Sequence, residues 1–574
     1  MDARRGVGVV ALLTLVAACS SSGEPSNVVP VPPVPPFSSV QQVQVSQSSP
    51  FAAGCDGVAA PSGTLYPNTA VEPSLVVNPY LSTNLVAAWQ QDRWSNGGSR
   101  GLVLAASFDG GNSWTLTSVP FSRCTGGNAA NLGNYERATD PWLTASPNGS
   151  AYALSLSFNG ATLGAGSASA MMVARSTDFG VTWLSPHVLI QDGDQVFNDK
   201  GSITADPINA SYVYAVWDRM ISPIAGPAYF ARTTDTGSTW EIARSIYDPG
   251  PSAQTLGNQI VVLPGDVLLD VFTQIDTVAG KPSAAVRVIR SLDNGANWST
   301  PVTISDLQAV GTTNPANNAA VRDGAELVSV SVVPPGTVIG PVYVVWQDSR
   351  FSMGNYDGIA LARSTDGGQT WSAPVQINAD TTVQAFTPTV NVRADGVLAV
   401  TYFDLRNNTT PAANTLYADC WMVTSADGGA TFTEQHLSGA VNLYNAPDAE
   451  GLFLGDYQAL VNTGPGGAFL PFYAQPPPAM SAGTAVSTDT FVSFPPAAAA
   501  AAALPFAVPP PSAPAALSAE TRERLVGRIR LVQSQRLHGR YPGRRARRCR
   551  SSRPLRPAAA GGSAVAAADR SRSH

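Results

Sequence analysis

Acid–arginine pairs close four aromatic-rich segments of this chain. They are Trp89-Gln-Gln-Asp92-Arg93, Trp217-Asp218-Arg219, Trp346-Gln-Asp348-Ser-Arg350 and Phe403-Asp404-Leu-Arg406. A fifth cluster, Tyr135-Glu136-Arg137-Ala-Thr-Asp140, does not recur, and Asp456-Tyr457 stands apart as well. Carboxylates near one another can share general acid and base work, arginines grip carboxylates or hydroxyls, and aromatic rings stack on sugars. These residue types therefore point to a sugar-handling surface. A pair repeated in four segments reads first as architecture, tying neighbouring loops together. The unrepeated Glu136, Arg137 and Asp140 carry more functional weight.

Other chemistries lack material. Only His187 and His436 precede the final forty residues, which leaves little for a histidine zinc site or a Ser-His-Asp triad. Cys55, Cys124, Cys420 and Cys549 match no metal spacing. No cofactor is implied; Ca²⁺ could be held by Asp and backbone oxygens, though no EF-hand-like spacing supports it. The net charge of −6 hides a split: residues 521–574 hold 15 Arg and two acids, so the remainder is strongly acidic. An acidic folded part is a poor partner for nucleic acid.

The elements that must position these groups are short strands. Charged residues make up only 13% of the chain, with 51 Gly and 46 Pro, the signature of strands joined by tight turns. Six segments follow Ser/Thr-x-Asp-x-Gly-x-x-aromatic, with Asp109, Asp178, Asp235, Asp293, Asp366 and Asp427 at 57 to 73 residue spacing. Asp can accept backbone hydrogen bonds within such a turn, and Gly supplies positive φ. A second repeat, of apolar strands beginning near Pro73, Asp140, Ser202, Asn258, Leu327, Thr387 and Asp456, makes seven units.

The six turns resemble the Asp-box (BNR) repeats of the sialidase superfamily. The resemblance implies an all-β fold, a β-propeller of four-stranded antiparallel blades, with each box between the third and fourth strands of a blade. In the family the boxes are structural and lie away from the active site. Seven strand units favour seven blades over the six of true sialidases. The last unit has Phe469–Ala474 and Thr490–Phe494 but no fourth strand, and the alternating Val40–Ser46 segment is expected to supply it and close the ring. Strand alternation then puts second-strand ends and blade-to-blade loops on the face opposite the boxes. That rim gathers Asp218, Arg219, Asp348, Arg350, Asp404, Arg406, Glu136, Arg137, Asp140, Asp456 and Tyr457, joined by Arg93, Asp199, Lys200, Arg322, Asp323, Glu326 and Glu450. On the same reading Cys55 and Cys124 lie in loops flanking the first blade, and a disulfide between them is expected; Cys420 is expected to be a buried free thiol.

The ends read differently. Arg4 and Arg5, a short apolar run and Val16-Ala17-Ala18-Cys19 resemble a bacterial lipobox, which implies a signal peptide over 1–18 and acylation of Cys19. Residues 19–39 form a Ser/Pro-rich tether, 40–494 the propeller, and 495–574 a disordered Pro/Ala- and Arg-rich tail, either a basic arm or a frame-shifted end. The implied location is the cell envelope, lipid-anchored, at the outer membrane in a Gram-negative host because Ser20 and not an acid follows Cys19.

Three functions fit. One is an exo-acting, sialidase-type glycoside hydrolase on surface or host glycans. The second is a non-catalytic glycan- or protein-binding propeller, and the third an envelope assembly factor. The expected partner is a glycan or envelope polymer, with a monomeric chain touching membrane through its anchor alone. The family's Arg-Ile-Pro signature is absent, so its arginine triad does not transfer residue by residue.

Overall fold

The computed structural model describes residues 40–58, 63–334, 340–477, 486–495, 506–507 and 517–536. Cys19, Cys549 and the signal and tether segments lie outside these residues.

The first unit shows how the repeat is built. Strands Leu65–Val77, Leu85–Trp94, Ser99–Ser107 and Thr115–Thr117 pair antiparallel in chain order. Alternating apolar residues of the middle strands, such as Val86, Ala88, Leu102 and Leu104, are buried against the next unit. Six further four-stranded units follow among the described residues, and the inner strand of each touches the inner strand of the next until 459–462 returns to 65–77. The closed ring is a β-propeller. Its seventh unit joins Ala459–Asn462, Phe469–Gln475 and Asp489–Phe494 to the N-terminal strand Gln41–Gln44, with Val43 opposite Val492. The first described strand thus covers the outer edge of Asp489–Phe494 and joins the two ends of the ring.

The six box turns share one geometry. In the fifth blade Ser364 Oγ donates to Asp366 Oδ1 at 2.8 Å and accepts from Gly368 N at 2.8 Å. Asp366 Oδ1 also accepts from Thr370 N at 2.9 Å, and Gly368 sits at φ 83°, where a side chain would be strained. These hydrogen bonds pull Asp109, Asp235, Asp293, Asp366 and Asp427 down to about 2. The carboxylates are consumed by their own turns.

Cys55 and Cys124 are joined by a disulfide, with Cα atoms 4.9 Å apart, and Cys420 is a buried free thiol. The reading of everything after residue 495 as disordered needs correction. Phe506–Ala507 pairs with Thr431–Phe432 at the edge of the sixth blade. Helix α1, Ala519–Gln535, starts at a Ser518 cap that accepts from Thr521 N at 3.0 Å, and packs on the propeller. Its order comes from tertiary contact: Ile529 and Val532 join the apolar cluster of Leu256, Leu307, Ala325 and Val328.

Candidate functional site

Five inner strands carry the same irregularity. Pairing slips at Glu72-Pro73, Asp140-Pro141, Lys200-Gly201, Gly257-Asn258 and Thr387-Pro388. The first residue of each takes positive φ: 51°, 51°, 45°, 67° and 50°. A bulge of this kind leaves a residue unpaired and re-aims it. Blades one to three place Glu72, Asp140 and Lys200 together. Such a conformation is strained for any residue with a Cβ, and strain held at one locus marks a candidate site. Two loops complete it. Val321–Arg322 pairs parallel with Leu452–Phe453, which brings Arg322 beside Phe453 and sets Asp456 opposite.

The cluster is closely knit and almost dry. Lys200 Nζ lies 2.7 Å from Asp456 Oδ2, 3.2 Å from Asp140 Oδ1 and 3.3 Å from Glu72 Oε1. Arg322 grips Asp456 bidentately, Nε to Oδ1 at 3.0 Å and Nη2 to Oδ2 at 2.8 Å. Gln90 Nε2 donates to Glu72 and, at 2.7 Å, meets Thr139 Oγ1, while its Oε1 accepts from Arg93 Nη1 at 3.0 Å. The Arg93 and Arg322 guanidinia each stand 4.8 Å from the Phe453 ring centre. Tyr457 donates to Pro141 O at 3.3 Å and packs against Trp142, ring centres 5.3 Å apart.

Burial and charge split the acids. Burial pushes Glu72 up to about 8, against the pull of Lys200. Burial would raise Asp456 too, but Arg322 and Lys200 outweigh it and hold that carboxylate well below the usual range. Burial lowers Arg93 to about 10, helped by Arg322. The Tyr457 phenol is driven far up by burial and by Glu72, Asp140 and Asp456, so it stays protonated. Once Glu72 carries its proton, Arg93, Lys200 and Arg322 face two aspartates. Glu450, exposed at the lip, is the next acid. Next to the cluster, a cavity of about 190 Å³ continues between inner strands, lined by Trp142, Tyr457 and inner-strand residues such as Ser74, Gln259 and Thr389.

On the other side lies α1. Only about 30 Å³ of free space separates its Arg528, Val532 and Arg536 from Lys200, Arg322 and Asp456. The expected open rim is therefore covered, because the tail supplies cations to the acids there.

Of the rim residues expected from the sequence, Arg93, Asp140, Lys200, Arg322, Asp456 and Tyr457 converge at this cluster. Asp199, Asp218, Asp323 and Glu326 face the arginines of α1, and the rest are spent within or between neighbouring blades. Arg219 pairs with Asp192 of the preceding blade at 2.6 Å and not with Asp218. Asp218 accepts from Gly257 N at 3.0 Å and pairs with Arg536 at 3.4 Å. Arg350 binds Asp348 at 2.7 Å and Ser305 of the preceding blade at 2.8 Å. Arg406 binds Asp404 at 2.6 Å and Glu434 at 2.7 Å, within its own blade. Arg137 is buried over Trp94 with Gly97 O at 2.5 Å, and Glu136 accepts from Gly160 N at 3.1 Å. Glu72 was missed. Its signal was the Glu72-Pro73 step, which matches Asp140-Pro141 and Thr387-Pro388.

Among the described residues no cluster of His, Cys, Asp and Glu could hold a metal ion, and no helix is long and apolar enough to cross a membrane.

Ring closure, four-stranded units and Asp-box turns define the class: an Asp-box β-propeller. Within it, residues 228–466 match the family model of the BNR repeat-like domain. No curated protein matches the chain. Among solved structures, a protein of unknown function from Dyadobacter fermentans is 15% identical, covering 80% of this chain and 99% of that one, with a TM-score of 0.42. An α-L-arabinofuranosidase of Fusarium graminearum is 14% identical over 59% of this chain and 91% of its own, TM-score 0.39. A Hadza microbial sialidase is 16% identical over 72% and 73%, TM-score 0.39.

Proposed function

We propose that the protein is an exported, lipid-anchored propeller that hydrolyses terminal glycosides of an acidic sugar, in the manner of a sialidase. One observation carries this reading: Glu72, Asp456 and Tyr457 share one cluster with Arg93, Lys200 and Arg322, in which burial drives the Glu72 carboxyl up while Arg322 and Lys200 hold Asp456 down. Carboxyl groups whose environments drive their proton affinities apart are the arrangement that glycoside cleavage needs. In this reading the cations take the sugar carboxylate in place of an aspartate partner. Glu72 gives its proton to the leaving oxygen as the glycosidic bond breaks. Tyr457 or Asp140 faces the developing positive charge at the anomeric carbon, and water then completes hydrolysis. The adjoining cavity of about 190 Å³, which meets the cluster at Asp456 and Tyr457, has room for one small sugar unit and not for a chain, which favours exo action. The lipobox-like N-terminus supports the envelope location, and Cys19→Ala should then release the protein from membranes; a variant that stays bound and unprocessed argues against the anchor.

The test is turnover of a panel of fluorogenic sialosides and uronides by the full chain. Glu72→Gln and Tyr457→Phe should each cut kcat/KM by about 100-fold or more, while Asp366→Ala should leave activity per folded molecule near normal. A wild-type chain that turns over no acidic glycoside defeats this reading. One observation favours a second: Asp456 is already satisfied by Lys200 and Arg322, as in a structural ion network. Glycan binding without turnover, lost in Arg93→Ala, would establish a binding propeller instead.

A further inference from the structure

Helix α1 is pinned to the ring by two buried arginines. Arg528 Nε lies 3.2 Å from Glu326 Oε1, and its Nη2 donates to Asp323. Arg536 Nε lies 2.8 Å from Asp199 Oδ2, its Nη1 donates to Gln254 Oε1 at 2.6 Å, and its Nη2 reaches Asp218 Oδ2 at 3.4 Å. The two guanidinia and all four carboxylates are buried. Arg536, the residue that caps α1, stands eight positions after Arg528, a rise of about 12 Å along the axis, so the helix sets both into their acid pairs. Around these knots Arg524 donates to Gly354 O at 2.7 Å, Arg530 to Gly280 O at 2.8 Å and Gln535 to Glu450 O at 3.2 Å. The helix thus runs over the hairpins of blades four and five and ends across the mouth, directly on the axial cluster.

We propose that the acids Asp199, Asp218, Asp323 and Glu326 form a receptor for an arginine-bearing helix, and that α1 fills it from within the chain as a removable plug over the axial site. The charge pattern is complementary. Buried carboxylates without a cation are costly, and each acid pair meets one arginine. Apolar contact is narrow: Ile529 and Val532 are the buried apolar residues of the helix, while Leu525, Val526 and Leu531 stay half-exposed. With α1 seated, no ligand larger than a water passes from this face to Lys200 and Arg322; with α1 displaced, the acidic pairs line the approach.

The test uses the full chain and no turnover assay, so its outcome is independent of the glycosidase reading. Hydrogen exchange of the 519–535 amides is measured in the wild type, in Arg528→Gln/Arg536→Gln, and in the receptor-side variant Asp323→Asn/Glu326→Gln. Binding of a fluorescent synthetic peptide of residues 517–536 is measured on the same proteins. We expect protected α1 amides and no peptide uptake in the wild type. In Arg528→Gln/Arg536→Gln the helix should exchange at least 100-fold faster and the vacated site should bind the peptide. A peptide carrying the same two substitutions should bind at least tenfold more weakly. Wild-type α1 amides exchanging at the unstructured rate would overturn the proposal, whatever the variants do. So would α1 amides equally protected in both variants, or a released variant that ignores the peptide.

Discussion

At the scale of single residues, the axial cluster is an economy of charge. Asp456 exists as a carboxylate because Arg322 and Lys200 surround it, and those cations are tolerated in a buried place because Asp456 is there. Asp456→Asn should therefore cost about 3–5 kcal/mol, since removing one partner of a buried network strands the others. Urea unfolding checks this, and a loss below 1 kcal/mol would mean that water reaches the cluster freely. Glu72 behaves in the opposite sense. Its folded value of about 8 lies above the ordinary 4.5, so the folded state binds its proton more tightly than the unfolded one. Its contribution to stability is present below about pH 4.5 and is lost as pH rises through 8. Glu72→Gln, which imitates the protonated acid, should flatten that decline; unfolding free energies from pH 5 to 9 that fall equally in both proteins would contradict it.

At the scale of elements, the box turns and the bulges divide the labour. The boxes face their own hydrogen bonds and fix the third-to-fourth strand hairpin. Asp366→Ala should lower stability by about 1 kcal/mol, allowing for the solvent exposure of the turn, with no change at the axial cluster. A thermal melt together with glycan binding separates the two effects. The bulges do the reverse, spending backbone strain to aim Glu72, Asp140 and Lys200 inward. The Cys55–Cys124 bridge ties the segment entering the first blade to the one leaving it. Opening it by Cys55→Ser/Cys124→Ser should destabilise the chain by about 2–4 kcal/mol, read as a drop in the urea midpoint.

At the scale of the whole molecule, two populations of acids set a pH window. The box aspartates, held at about 2, contribute stability above their ordinary 3.8 that is lost as pH falls toward 2. Buried acids work the other way. Burial raises Asp218 to about 6, and Glu326, Asp357 and Asp404 to about 7, so their contributions fade as pH climbs through those values. The melting temperature should peak between about pH 4 and 6 and decline on both sides. A maximum above pH 8 would show that the buried acids are ionised at little cost. Ring closure is the other global property. Deleting residues 40–46 should leave Asp489–Phe494 as a bare edge and raise aggregation above that of the intact chain, as light scattering would report.

Local rules determined a great deal. The box turns, the alternation of the inner strands and the pairing of Gln41–Gln44 with the last blade were legible because each depends on residues a few positions apart or on a simple count of strands. The acid–arginine pairs at Asp348 and Asp404 were legible as pairs for the same reason. Tertiary structure alone decided which charges meet. Glu72 and Lys200 come from the first and third blades and Arg322 and Asp456 from two loops between blades, and nothing in their sequence spacing encodes that a bulge turns the first two toward the axis. Only the fold removes water from them, and that removal separates Glu72 from Asp456. The tail teaches the same lesson. Leu525, Arg528, Ile529, Val532 and Arg536 fall at helical spacing, but a short basic helix is marginal alone. It forms where buried acids on another part of the ring await its arginines, and composition carries no record of that meeting.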